Sequence, residues 1–128
     1  MVNDQDYNLY KARALHELAQ HIGRERPIGM GLLYSRVFER PWSHRINDTR
    51  ALRQLITRMR FEGIAICSTS DHKQPGYYLA AAGTELEDYC RRFTRRALRS
   101  LAMVAKARRM SLPELLGQMQ LNLQKGHS

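Results

Sequence analysis

Apolar residues recur along this chain with two different spacings, and the switch between them marks out the elements. From about residue 6 to 23 the spacing is helical. Tyr7, Tyr10, Ala14, Leu15, Leu18 and Ile22 form one stripe, with Arg13, Glu17 and Gln20 opposite. Residues 23 to 27, ending in Pro27, break that helix, and Ile28 is expected as a very short strand pairing with a later ribbon. A second helix lies within 29 to 40, with Leu32, Leu33, Val37 and Phe38 inward and Ser35, Arg36 and Glu39 outward. A third runs over 47 to 62, with Asn47 or Asp48 as its N-cap. Its inner side is Ala51, Leu52, Leu55, Ile56 and Met59, and Gly63 stands where glycine usually ends a helix.

The spacing then shortens. Ile64-Ala65-Ile66-Cys67 alternates as a half-buried strand does, and Tyr77-Tyr78-Leu79-Ala80 returns as its partner. The polar stretch 68–76 between them ends in the turn signal Pro75-Gly76. After the joint Ala81-Ala82-Gly83, Thr84 and Glu87 predict a capping box, and a long helix is expected over 85 to 109. One stripe of it is Leu86, Tyr89, Cys90, Phe93, Ala97, Leu101 and Val104; Arg91, Arg92, Arg95, Arg99 and Lys106 gather on the far side. Leu98, Ala102 and Ala105 add a second apolar strip beside Leu101. A chain this short has little core left to cover both strips, so Leu98, Leu101, Ala102 and Ala105 are expected to pair with a second copy. The alternative is that the C-terminal segment folds back over them. Ser111 caps a last helix bearing Leu112, Leu115, Leu116, Met119, Leu121 and Leu123.

The fold expected from this order is mainly α with a small β-ribbon, an α+β class. It reads as a winged helix-turn-helix over 1–82 followed by a helical extension over 83–128, comprising a long helix and a short terminal one and serving as dimerisation element. The outer side of helix 47–62 carries Arg50, Arg53, Gln54 and Thr57. These residue types read base edges in a major groove: Arg pairs with guanine, Gln with adenine, and the Thr methyl meets thymine. Arg45, Thr49 and Arg58, with His72 and Lys73 at the tip of the polar stretch, suit the phosphate backbone or a minor groove. Trp42, in the linker before this helix, either caps the core or touches the DNA backbone or a partner.

Leu52-Arg53-x-Leu55-Ile56-x-x-Met59-Arg60-x-Glu62-Gly63-Ile64-x-Ile66-Cys67-Ser68, then Gly76-Tyr77-Tyr78-Leu79-Ala80, then Glu85-Leu86-x-x-Tyr89, resembles small winged-helix proteins of bacteriophages and prophages. The resemblance spans about residues 24 to 105. It implies the winged-helix fold and a role as repressor, activator or replication accessory. The chain departs from the simplest members by inserting Arg40-Pro41-Trp42-Ser43-His44 before the third helix and by a longer tip.

Charge sharpens the expectation of partner. Among 128 residues, 21 Lys and Arg against 12 Asp and Glu leave a net charge of +9. Such an excess favours a polyanion, most simply double-stranded DNA, with an anionic membrane surface or an acidic protein partner for the arginine face of 85–109 as rivals. No apolar run is long enough to span a bilayer and the start is acidic and polar, so a cytoplasmic location is expected. Cys67 and Cys90 read as small buried hydrophobes, and His16 and His21 lie on different sides of their helix, so no metal and no cofactor are expected. No phosphate loop, paired cysteine ligands or His-Glu-x-x-His spacing occurs, so no catalytic residues and no enzyme are expected. The function expected is sequence-specific DNA binding by a phage-type transcriptional regulator. The alternatives are a replication or recombination accessory with little sequence preference, or a winged-helix protein-interaction module.

Overall fold

A computed structural model of the chain describes residues 4–43, 45–69 and 75–126, with the backbone alone at 45 and 124–126. The expected tip contacts His72 and Lys73 and the side chain of Arg45 lie outside the described residues. Among those residues the elements run α1 (Asp4–Leu18), β1 (Ile28–Gly29), α2 (Met30–Phe38), α3 (Arg45–Phe61), β2 (Ile66–Ser68), β3 (Gly76–Leu79), α4 (Thr84–Ala107) and α5 (Leu112–Gly126). The protein is therefore mainly helical with a small antiparallel sheet, an α+β class. None of these helices is long and apolar enough to cross a membrane. The chain divides into two compact units, Met1–Tyr89 and Cys90–Ser128.

In the first unit α1 packs across α2 and α3, and α3 leans on β2. Leu18, Leu33, Leu52, Ile56, Met59 and Ile66 are the fully buried centre. Each such side chain contributes about 1.5–3 kcal/mol by leaving water. The inner face of α3 is as its spacing predicts, with Leu52, Leu55, Ile56 and Met59 all buried.

Several boundaries differ from the periodicity. α1 ends at Leu18, not near Gly23, and Ile22 lies exposed outside it. The chain there turns extended because its backbone is claimed by the sheet. The Gly23 amide donates to Leu79 O at 2.8 Å and the Leu79 amide to His21 O at 2.9 Å. In α2 the buried face is Met30, Leu33, Tyr34, Val37 and Phe38, while Leu32 points to solvent. A helix starting at Met30 repeats at three and four residues from there, which takes in Tyr34 and leaves out Leu32.

α3 begins at Arg45, so neither Asn47 nor Asp48 is its N-cap. Asp48 instead lies in the first turn and accepts from the Ser43 amide at 3.1 Å and from the Tyr34 hydroxyl at 3.0 Å. Trp42, half-buried, packs against the core, and its ring lies over Gly31, where a Cβ would come within 2.1 Å of a ring carbon.

The sheet order is β1-β3-β2, antiparallel throughout. Ile28 faces Tyr77 and Gly29 faces Gly76, while Cys67 faces Tyr78. Gly76 is required at this register, because a Cβ there would stand 2.4 Å from Ile28 O. α3 closes with the Ile64 amide on Met59 O and the Gly63 amide on Arg60 O, Gly63 having φ +96°.

α4 starts at Thr84 rather than using it as the cap of a box with Glu87. Glu85 supplies the tie: its carboxylate accepts from the amides of Ala81 and Arg24, each at 3.2 Å. These two bonds, the Ala81 one foremost, hold its carboxyl below the usual range.

In the second unit the α4–α5 joint repeats the bonding at the end of α3. The Met110 amide bonds Ala105 O and the Arg109 amide bonds Lys106 O, with Arg109 at φ 54°. Ser111 caps α5 as its sequence predicts. Its hydroxyl accepts from the Glu114 amide at 3.2 Å, and the Glu114 carboxylate accepts from the Ser111 amide at 3.3 Å. Among the described residues of this unit only Ala105 and Leu115 are buried. Cys90 is exposed, against the expectation of a buried thiol, because its side of α4 is uncovered.

Candidate nucleic-acid interface

The outward side of α3 is a continuous exposed surface on a helix whose other side is locked in the core. Arg50, Arg53, Gln54 and Thr57 all lie on it and are exposed. A helix anchored in this way presents its polar residues at fixed spacing, which groove reading requires.

Two arginines join this helix to the ribbon. Arg60 donates from Nε to Ile66 O at 2.8 Å and from a terminal nitrogen to Ser68 Oγ at 3.1 Å. That use fixes β2 along the side of α3. Arg53 lies beside the Tyr77 hydroxyl on β3. Burial pushes that hydroxyl's pKa up, and the Arg53 and Arg60 charges partly offset the shift. The positive charge of Arg53 thus lies close enough to β3 to act on Tyr77.

Thr49 is half-buried at the flank of this surface. Arg58 is turned onto α1. Its guanidinium carbon lies 3.5 Å over the Tyr7 ring and a terminal nitrogen is 3.1 Å from Asp4 Oδ1. Arg50, Arg53, Gln54 and Thr57 thus share one exposed side, while the guanidinium of Arg58, one turn after Gln54, is turned onto α1.

Two residues on the outward side escaped sequence reasoning. Phe61 is 88% exposed and Ile46 is 75% exposed. Phe61 stands one turn beyond Thr57, and Ile46 one turn before Arg50, on the same side. Their spacing was the available signal, since both fall in step with the polar stripe and out of step with Leu52, Leu55, Ile56 and Met59. Exposed large apolar residues within a polar stripe suit thymine methyl groups or an apolar patch on a protein.

Of the strip expected to pair with a second copy, Ala105 is buried, Leu101 and Ala102 are half-buried, and Leu98 remains exposed. Cys90, Ala97 and Val104, on the neighbouring strip, are exposed, as are Arg91, Arg92, Arg95, Arg96 and Arg99 across the helix. No group of three metal-ligating side chains occurs among the described residues. No family model, curated protein or solved structure matches this chain.

Proposed function

We propose that the chain is a sequence-specific DNA-binding protein, a phage-type transcriptional regulator, in which α3 enters the major groove. The observation that carries this reading is the outward side of α3: Arg50, Arg53, Gln54 and Thr57 exposed together on a core-anchored helix. The element order supports a winged helix-turn-helix arrangement, with α2 and α3 as the helix pair, β2 and β3 as the wing and β1 as its third strand. In this reading Arg53 and Gln54 pair with purines, Thr57 and Phe61 meet methyl groups, and residues 68–76 follow the backbone or minor groove. The net charge of +9 supplies the non-specific part of the affinity through counterion release.

A second copy belongs to this reading, because a regulator binds paired half-sites. This reading assigns to it the exposed strip at Cys90, Ala97 and Val104, because Ala105 on the neighbouring strip is buried while Leu98 there stays exposed.

Selection from a random double-stranded library at physiological salt tests the function. Recovery of a recurring motif with inverted half-sites is the expected result. Retention without a motif overturns sequence specificity and leaves the replication or recombination accessory. The exposed Phe61 and Ile46 favour a second reading, a protein-interaction surface, which follows if no duplex is retained at all.

A further inference from the structure

Beside α3, bordering its outward stripe at Gln54, the first unit holds a cavity of about 570 Å3 bounded by α1, α2 and α3. Its apolar walls are Tyr7, Tyr10, Phe38 and Leu55, and Arg58 and Asp4 stand at its edge. The Tyr10 and Phe38 rings meet at 4.7 Å between centroids with 56° between their planes. Among the described residues the only cationic group in the lining is the Arg58 guanidinium, and its stacking over Tyr7 holds it in place. A mostly apolar hollow of this size, with one placed charge, has the make-up of a small-molecule site.

We propose that this cavity binds a small aromatic carboxylic acid, with its ring against Tyr10, Phe38 and Leu55 and its carboxylate on Arg58. The aromatic walls select a ring, since offset or edge-on aromatic pairs gain beyond simple burial. Arg58 selects the acid. A guanidinium does not deprotonate and offers a planar fork that a carboxylate meets with two hydrogen bonds. Its present partner is a stand-in: Asp4 is 92% exposed, and an ion pair so placed contributes little and is readily exchanged. The ligand's carboxylate takes the position of the Asp4 carboxylate, while its ring gains the buried walls that Asp4 lacks.

Gln54 and Arg58 line this cavity and also belong to α3, so occupancy alters the flank of the proposed reading helix. That consequence rests on the DNA-binding reading; the binding itself does not.

The test titrates the isotope-labelled full chain, without DNA, with hydrocinnamate, its neutral amide and the corresponding phenylpropylamine, followed by amide NMR. The expected result is saturable shifts in α1, α2 and α3, with the acid bound about tenfold more tightly than the amide and the amine weakest. Arg58→Gln removes the preference for acid over amide. Asp4→Asn, at an exposed position that leaves the core untouched, strengthens acid binding severalfold by removing the competing carboxylate. Equal binding of acid and amide, no saturable shift with the acid, or acid affinity unchanged in both variants overturns the proposal. Adding duplex afterwards separates the two readings. A chain that binds the acid but no DNA keeps the cavity and loses the regulator.

Discussion

The Tyr34 hydroxyl donates to the Asp48 carboxylate at 3.0 Å, and the other oxygen of that carboxylate takes the Ser43 amide at 3.1 Å. One acidic side chain thus ties the first turn of α3 to α2 and to the linker before it. Asp48→Ala should cost about 1–3 kcal/mol, since it strands a donor on each side, whereas Tyr34→Phe should cost about 1 kcal/mol. Urea unfolding of both variants checks this. An Asp48→Ala midpoint equal to that of the parent would show that the linker holds α3 without it.

A second tie has a pH signature. The Tyr7 hydroxyl donates to Glu62, and Lys11 Nζ lies 2.9 Å from the same carboxylate. The Tyr7 bond first, then Lys11, lowers the Glu62 pKa from its ordinary 4.5. Burial, then the Glu62 bond, pushes the Tyr7 hydroxyl up to about 12. A lowered carboxylate contributes stability in full above pH 4.5 and loses it as pH falls through the folded value. A raised phenol contributes in full below pH 10.0 and loses it as pH rises towards about 12. Glu62→Gln should flatten the acid limb of a stability–pH curve, and Tyr7→Phe should flatten the alkaline limb and weaken the acid one. Parallel curves for parent and variants would remove this pair from the pH response.

Two glycines should fail for different reasons. At Gly76 a Cβ meets Ile28 O at 2.4 Å, so Gly76→Ala forces β1 away from β3. About 1–3 kcal/mol is expected for such overpacking, with increased proteolysis near Ile28. At Gly63 no atom lies within 4 Å, but φ is +96°, so Gly63→Ala costs about 1–2 kcal/mol from backbone conformation alone. Asn at each position separates the causes: it tolerates left-handed backbone and should rescue position 63 in part and position 76 not at all.

DNA binding should divide along α3. Arg53→Ala and Gln54→Ala should each cost about 1–3 kcal/mol on the selected site and relax preference at one base pair. Phe61→Ala should reduce discrimination for thymine and leave binding to random duplex unchanged. Quantitative binding to the selected site and to single-base variants measures both. A uniform loss across all sequences from Arg53→Ala would make it a phosphate contact instead.

Self-association should follow the open strip of α4. Sedimentation equilibrium of the parent is expected to show a two-chain mass at micromolar concentration. Ala97→Glu should give a monomer, because it places a charge in the centre of the exposed strip holding Cys90 and Val104. Leu98→Glu, on the partly covered strip, should have the smaller effect. A monomeric parent, or a larger effect at Leu98, would dismiss this surface.

The sequence by itself determined whatever depends on period and local chemistry. The inner face of α3 follows from residues recurring every three or four positions, and that recurrence alone placed Arg50, Arg53, Gln54 and Thr57 outward. Gly63 and Ser111 were legible because helix ends leave backbone groups unpaired, and few residue types satisfy them. Ile28 as a short strand and the two longer ribbon strands were legible from alternation, but Gly76, expected in a turn, pairs with Gly29 within β3, and β2 starts at Ile66 rather than Ile64.

Tertiary structure decided everything that depends on which surface meets which. Arg13, read as facing away, crosses to α2, donating to Val37 O at 3.0 Å and pairing with Glu39 at 3.3 Å. Arg58 and Arg60 carry the same charge two residues apart, yet one turns onto Tyr7 and the other onto β2. Cys90 stayed exposed, and the cavity beside Arg58 arose, because coverage belongs to the meeting of helices and not to any one of them. A period tells which residues share a side; only packing tells which side is covered, and long polar side chains take whatever partner that packing brings within reach.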